Sequence, residues 1–366
     1  MNITEVLIQP QATAWLPWAV QYFLYIGSSY AAAILFLLSL IFHKRTSHKM
    51  RSALVLTIAI GAIVGPLALT GDLHQPGRAW HFFFHLTPWS WMSLGSLFLP
   101  LFSALAVATA WLYLRDDIAE LRNSTNPIAK LVGLLTLGDW KITHTQMIIV
   151  AAITTLSGLS IALYTGAEIA IIESRPLWNQ AASPILWFVT AFLGAIGFST
   201  LLLFLFPSSH TDKTSMSEGD ASLIKRTLVL SSVLSFILVP LWASNNPTFS
   251  LYENQAWITR LGLLSLGFIA CFVVAQTLKN LNRASFIIIT ATTLFTSFYL
   301  RWVTMMDVQT IPKFDVGAYP YELPMGGAGL LGILGMFGLW MALALAASEI
   351  VNTKKTSLST TTHTTK

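Results

Sequence analysis

The chain has 366 residues, of which 54% are hydrophobic and only 10% charged. A soluble domain carries roughly 25% charged residues, so this composition excludes an ordinary water-soluble globule. The net charge is +5, but the basic residues are scattered between apolar runs and form no patch for nucleic acid. The lone cysteine, Cys271, excludes an internal disulfide, a cysteine-ligated zinc site and an iron–sulfur cluster held by this chain alone.

In chain order, charge-free apolar runs fall at 15–42, 52–71, 86–114, 145–167, 184–206, 227–243, 261–278, 284–300 and 323–348. Each reaches or approaches the roughly 20 residues that a helix needs to cross the hydrocarbon core. The runs at 227 and 284 are the shortest, so the sequence predicts an all-α transmembrane bundle of nine spans, or eight if one of these fails to cross. Residues 1–350 are expected to form a single integral membrane domain, and 351–366, ending SLSTTTHTTK, reads as a disordered tail. The segment before Trp15 has no basic n-region, so no cleavable signal is expected. With the N-terminus outside, only Arg78, Arg175, Arg260, Arg301 and Lys313 fall in outer segments, and every other Lys and Arg is inner. That bias predicts an outer N-terminus and an inner C-terminus. The inner segments 115–144 and 207–226 are polar and too short to make a soluble core.

In this topology the unusual polar residues gather on the outer side. The loop after span two, TGDLHQPGRAWHFFFHLTPWSWMS, holds Asp72, His74, Arg78, His81 and His85 beside Trp80, Trp89 and Trp91. Span four ends in YTGAEIAIIESRPLWN, with Tyr164, Glu168, Glu173, Arg175 and Trp178, and span eight ends in LRWVTMMDVQTIP, with Arg301, Asp307 and Gln309. Ionisable residues at membrane depth are costly and mark binding sites or pathways. Tyr164 and Glu168, four apart, share one helix face. An apolar pocket with a hydroxyl, a carboxylate and a neighbouring His or Arg suits a lipid-soluble quinol: each ring oxygen needs a hydrogen-bond partner, the released protons need an acceptor, and aromatic walls hold the flat ring.

Plainer readings exist for each residue. Trp80, Trp89, Trp91 and Trp178 fit an interfacial aromatic belt. His81 and His85 lack a third ligand for a metal, and Asp72 with Arg78 could be a salt bridge pinning the loop. Glu173 and Arg175 fit exposed positions at the headgroups, and Tyr164 fits a packing role with its hydroxyl on a carbonyl. No histidine falls mid-span, which counts against a haem-carrying subunit. A quinol-oxidising chain with neither haem nor metal must pass its electrons to a partner.

The loop DLHQPGRAW followed by TPWSWMSLG, the stretch WAVQYFLYIGSSYAAA, the segment YTGAEIAIIESRPLWN and the late element LRWVTMMDVQ together resemble the NrfD-type family, membrane subunits of polysulfide reductase-like complexes. The HQPGR and WSWM versions are similar to those of tetrathionate reductase membrane subunits. His74 and Val308 stand where that pattern often has Gly, and span nine matches no family element. The resemblance implies a multi-pass subunit of a bacterial inner membrane. It would anchor a periplasmic iron–sulfur subunit and a molybdopterin catalytic subunit, and oxidise menaquinol near the outer face. It places the family's quinone-contacting tyrosine on Tyr164, its loop aspartate on Asp72 and its late arginine on Arg301.

On this reading Tyr164 bonds a quinone oxygen and Asp72 or Glu168 accepts a proton. His74 relays that proton, Arg78 and Arg301 set the local potential, and Trp91 and Trp178 wall the ring. Terminal reduction, of tetrathionate or a similar sulfur compound, would occur on a partner. The alternatives are a secondary transporter, which the clean span middles disfavour, and a structural anchor without a quinone site.

Overall fold

The computed structural model describes residues 13–206, 216–246, 250–277, 281–311 and 321–351. The tail beyond 351 and the basic residues Lys213, Lys279 and Lys313 lie outside the described residues. Among those described, nine helices are long and apolar enough to cross a membrane, in agreement with the larger of the two expected counts. The fold is all-helical, and the chain is a multi-pass membrane protein.

The spans run Pro17–Ile41, His48–Asp72, Trp91–Glu120, His144–Ala170, Ala182–Leu205, Glu218–Ser244, Gln255–Thr277, Arg283–Trp302 and Leu330–Ser348. Their starts are set by local chemistry. Pro17 opens span one, where its missing N–H costs nothing. Ser47 accepts from the Met50 N–H at 3.0 Å, and capping boxes Thr143/Gln146 and Ser217/Asp220 open spans four and six. Inside span two, Pro66 cannot donate to the Ala62 carbonyl four residues earlier. Ser103 of span three donates its hydroxyl to that carbonyl at 2.8 Å, which satisfies in apolar surroundings what the proline released.

Span one is the hub. It packs against spans two, four, five and eight and is buried along nearly its whole length. Spans three, seven and nine are peripheral and turn side chains such as Leu97, Leu101, Leu266 and Leu331 outward, where lipid tails solvate them at no cost.

Contacts at the two ends agree with up-down alternation of the spans. At one end, His43 and His144 bring their rings to 4.3 Å, and the Ser47 N–H donates to Asp220 at 2.9 Å. This basic end also pairs half-buried His48 with buried Asp117 at 2.8 Å. At the other end, Trp15 donates its N–H to the Gln309 side chain at 3.0 Å, and Asn245 donates to Gln180 at 3.1 Å.

Several span limits differ from the expected runs: span three covers 91–120, span seven begins at 255 and span nine at 330, and the differences in spans six and eight bear on the charged residues. Span six begins at Glu218 rather than 227, because the capping box lets the helix carry Lys225 and Arg226 beyond the apolar run. Span eight does not stop at 300. It continues through a π-helical turn, Val303–Asp307, so Arg301 lies inside the bundle rather than in an outer segment. Segment 115–144 is also less polar in effect than its charge count suggests. It includes a short helix, Pro127–Gly133, and exposes Ile128, Leu131, Leu134 and Leu137.

Candidate functional site

At the end opposite the basic one, several spans contribute residues at one depth. Tyr22 lies five residues after the start of span one, and Tyr164 six residues before the end of span four. Arg301 lies six residues before the end of the eighth span at Asp307. At 1.5 Å per residue these are all roughly 8–9 Å below the helix ends. Trp187 of span five and Gly95 of span three fall in the same layer.

Tyr164 is buried and lies beside Glu168 one turn along span four. Gly95 lies so close to the Tyr164 ring that no side chain fits there, so this glycine shapes the wall on which the phenol rests. Tyr22 is within electrostatic reach of Tyr164, Glu168 and Tyr30. Arg301 is 1% exposed. It donates to the Thr190 hydroxyl and the Trp187 carbonyl, both at 2.7 Å, and lies 5.3 Å over the Trp187 ring. Among the described residues it forms no ion pair.

The polar groups of this layer are not all used. The Tyr22 hydroxyl, one Glu168 carboxylate oxygen (Oε2), Arg301 Nε and the side-chain amide of the neighbouring Gln21 have no hydrogen-bond partner among the described residues. A buried polar atom left unpaired costs about 1–3 kcal/mol, and native structures hold few of them. Several in one layer leave hydrogen-bonding capacity that a polar ligand can complete. Sequence reasoning misses Gln21, Tyr22 and Tyr30. Their signal is a glutamine and tyrosines inside an otherwise apolar first span. Gly95 carries no such signal, because its role depends on a neighbour 69 positions away in the chain.

The remaining expected residues take different places. Asp72 is buried and its Oδ1 accepts the Leu16 N–H at 2.8 Å, which ties the end of span two to the start of span one. Its carboxylate acts electrostatically on Glu168 on one side and His74 on the other. His74 and Arg78 are exposed, and no Asp72–Arg78 salt bridge forms among the described residues.

Trp91 is half-buried at the start of span three. Trp178 is 3% exposed and donates its indole N–H to the Thr304 carbonyl at 2.6 Å. It braces the π-helical turn beneath Arg301, where backbone carbonyls are poorly matched within the helix. Arg175 is not a solvated headgroup residue. It donates to the carbonyls of Val308 and Gln309, both at 3.1 Å, and of Ile311, so it caps the C-terminal end of span eight. Glu173 is exposed as expected. Asp307 pairs with Arg260 at 3.0 Å. His81 and His85 have ring centroids 5.6 Å apart, and no group of three metal-ligating side chains occurs among the described residues.

Residues 5–313 match the family described as "Polysulphide reductase, NrfD". The chain belongs to the NrfD family. Across 362 residues, 96% of both chains, it is 32% identical to a tetrathionate reductase subunit of Salmonella typhimurium. It is 25% identical to a selenate reductase subunit of Mesobacillus selenatarsenatis over 210 residues, 53% of this chain and 48% of that one. The NrfD match spans helices one to eight and includes the whole polar layer. The Salmonella relative is similar through span nine as well, where motifs alone give no match.

Proposed function

We propose that this NrfD-family chain is the quinol-oxidising membrane subunit of a multi-subunit reductase, with residues 1–350 forming one helical membrane domain. The observation that carries the reading is the layer of Tyr22, Tyr164, Glu168 and Arg301, whose unpartnered atoms suit the two oxygens of a quinol. Tyr164 and Arg301 orient the ring oxygens, and Trp91 lies at the edge of the approach. Glu168 accepts a proton, and Asp72 and exposed His74 carry it to the surface, with Arg78 adding positive potential there. Trp178 keeps Arg301 in place through the π-helical turn.

The positive-inside bias supports a polar layer on the periplasmic side of a bacterial inner membrane. Electrons released from menaquinol pass to a periplasmic iron–sulfur subunit and then to a molybdopterin subunit. The similarity to the Salmonella tetrathionate reductase protein supports tetrathionate, or a related sulfur compound, as the terminal oxidant.

The test is purification of the tagged chain from native membranes, with partners identified and quinol-dependent reduction of their clusters followed by absorbance. Co-purification of iron–sulfur and molybdenum subunits that menaquinol reduces is expected. In the Tyr164→Phe variant the same complex is expected to assemble but to lose that reduction. A complex that turns over unchanged with Tyr164→Phe would leave the chain a structural anchor.

A further inference from the structure

A groove of about 1010 Å³ opens at the basic end, between spans one, five and six. Its mouth lies at the opposite end of span one from the quinol layer, and its floor runs along span five as far as Phe188, the residue after Trp187. Its volume is at the upper limit of small-ligand pockets, roughly 300–1,000 Å³. Its deep part is walled by Leu38, Phe188, Phe192, Leu230 and Leu234. Its mouth carries Lys44, Arg45 and Arg226, with Glu218 the one carboxylate among the lining residues.

The depth of these groups follows from helix length. Span six has 27 residues, about 40 Å of helix against about 30 Å of hydrocarbon. Its first two turns therefore project beyond the hydrocarbon. Arg226 is the last charged residue before the uncharged stretch 227–246, which sets it at headgroup level with Leu230 and Leu234 below it. Lys44 and Arg45 follow the end of span one at Ile41 and meet it from the other wall. The linker that holds them is fixed. The Ser217 hydroxyl donates to the Arg45 carbonyl at 2.8 Å, and Gly219 lies against that same carbonyl, where a side chain would clash. The backbone that carries Lys44 and Arg45 is thus held against the start of span six.

We propose that this groove holds an anionic phospholipid, phosphatidylglycerol or cardiolipin, with its phosphate between Lys44, Arg45 and Arg226 and an acyl chain along Phe188, Phe192 and Leu234. The division of the groove into a cationic rim at headgroup depth and an apolar floor matches the two parts of such a lipid. Three cations against one carboxylate select a negative headgroup over a zwitterionic one. The lipid fills the space between span one and span six.

The test uses the intact complex in vesicles containing phosphatidylglycerol with a photoactivatable acyl chain, followed by peptide mapping of the cross-links. Cross-links are expected on 34–42, 188–192 and 223–234. The triple variant Lys44→Gln, Arg45→Gln, Arg226→Gln should weaken phosphatidylglycerol binding by about 100-fold, the loss expected for three basic contacts near the membrane surface. Lys130→Gln with Lys141→Gln, which removes basic-end charge away from the groove, should leave it unchanged. Excess inorganic phosphate should not displace the lipid, because the acyl chain supplies part of the binding. Equal labelling by the phosphatidylcholine analogue, equal loss in the Lys130/Lys141 control, or recovery of an isoprenoid quinone from the groove would each overturn the proposal. Quinol oxidation by the triple variant reports separately on the site at the other end.

Discussion

Tyr164 and Glu168 stand one turn apart on the same face of span four, the phenol beside a carboxylate whose Oε2 has no partner among the described residues. In the proposed quinol site the pair would divide the work between an oxygen that positions and an oxygen that can receive a proton. Glu168→Gln keeps the shape and polarity beside Tyr164 but removes the proton acceptor. Turnover with menaquinol is expected to fall by about 100-fold or more, in the range for loss of a general base, with the complex assembled and its melting temperature unchanged. A Glu168→Gln complex that oxidises quinol at the wild-type rate would move the proton acceptor elsewhere.

Asp72 has two roles that different substitutions separate. Its Oδ1 holds the Leu16 N–H at the start of span one, a capping bond whose loss costs about 0.5–2 kcal/mol. Asp72→Asn retains an oxygen for that bond and is expected to fold and assemble normally, while turnover drops by about 100-fold because the amide cannot relay a proton. Asp72→Ala loses both and should also lower the melting temperature of the purified complex. Normal turnover in Asp72→Asn would leave the residue a cap alone.

Much of this arrangement is legible in the residues themselves. The span count, the clustering of Asp72, Tyr164, Glu168 and Arg301 at one end, and the shared face of Tyr164 and Glu168 follow from hydropathy and helical periodicity. Hydropathy alone leaves Arg301 in a loop, because the apolar run ends at Leu300. The helix continues because a π-helical turn braced by Trp178 and Trp187 carries it to Asp307, and such bracing depends on contacts distant in sequence. Arg175 reads as a headgroup residue for the same reason, since its partners are carbonyls more than 130 positions away. Gln21 and Tyr22 sit in an apolar run that hydropathy averages over. Their importance shows only once the neighbours that leave them unpaired are known.

Trp178 and Trp187 converge on one residue of the π-helical turn. Trp178 donates to the Thr304 carbonyl at 2.6 Å and Trp187 to the Thr304 hydroxyl at 3.0 Å. Trp178→Phe should destabilise the complex by about 1–3 kcal/mol, the cost of leaving a buried carbonyl unpaired. Because both indoles hold the same turn, the double variant with Trp187→Phe should depart from the sum of the single ones by at least about 0.5 kcal/mol. Strict additivity in thermal melts would mean that the two tryptophans act independently of the turn.

The depth of the polar layer bears on whether turnover moves charge across the membrane. Tyr164 is only six residues from the end of span four, roughly 9 Å of helix, and Glu168 is closer still to that end. Asp72 and His74 continue from Glu168 toward the same surface. The titratable pair at the basic end, His48 and Asp117, is bonded within its own cluster, with His48 on Tyr113 at 3.0 Å and on Asp117 at 2.8 Å. Protons released at the polar layer therefore have a short route to the side on which the electron-accepting partner is proposed to dock. With electrons and protons leaving on one side, as proposed, no net charge would cross the bilayer. Quinol oxidation by the purified complex in sealed vesicles is expected to generate no membrane potential on a voltage-sensitive dye, with or without an uncoupler. A potential that builds with turnover and collapses on uncoupling would require a proton route from the basic end.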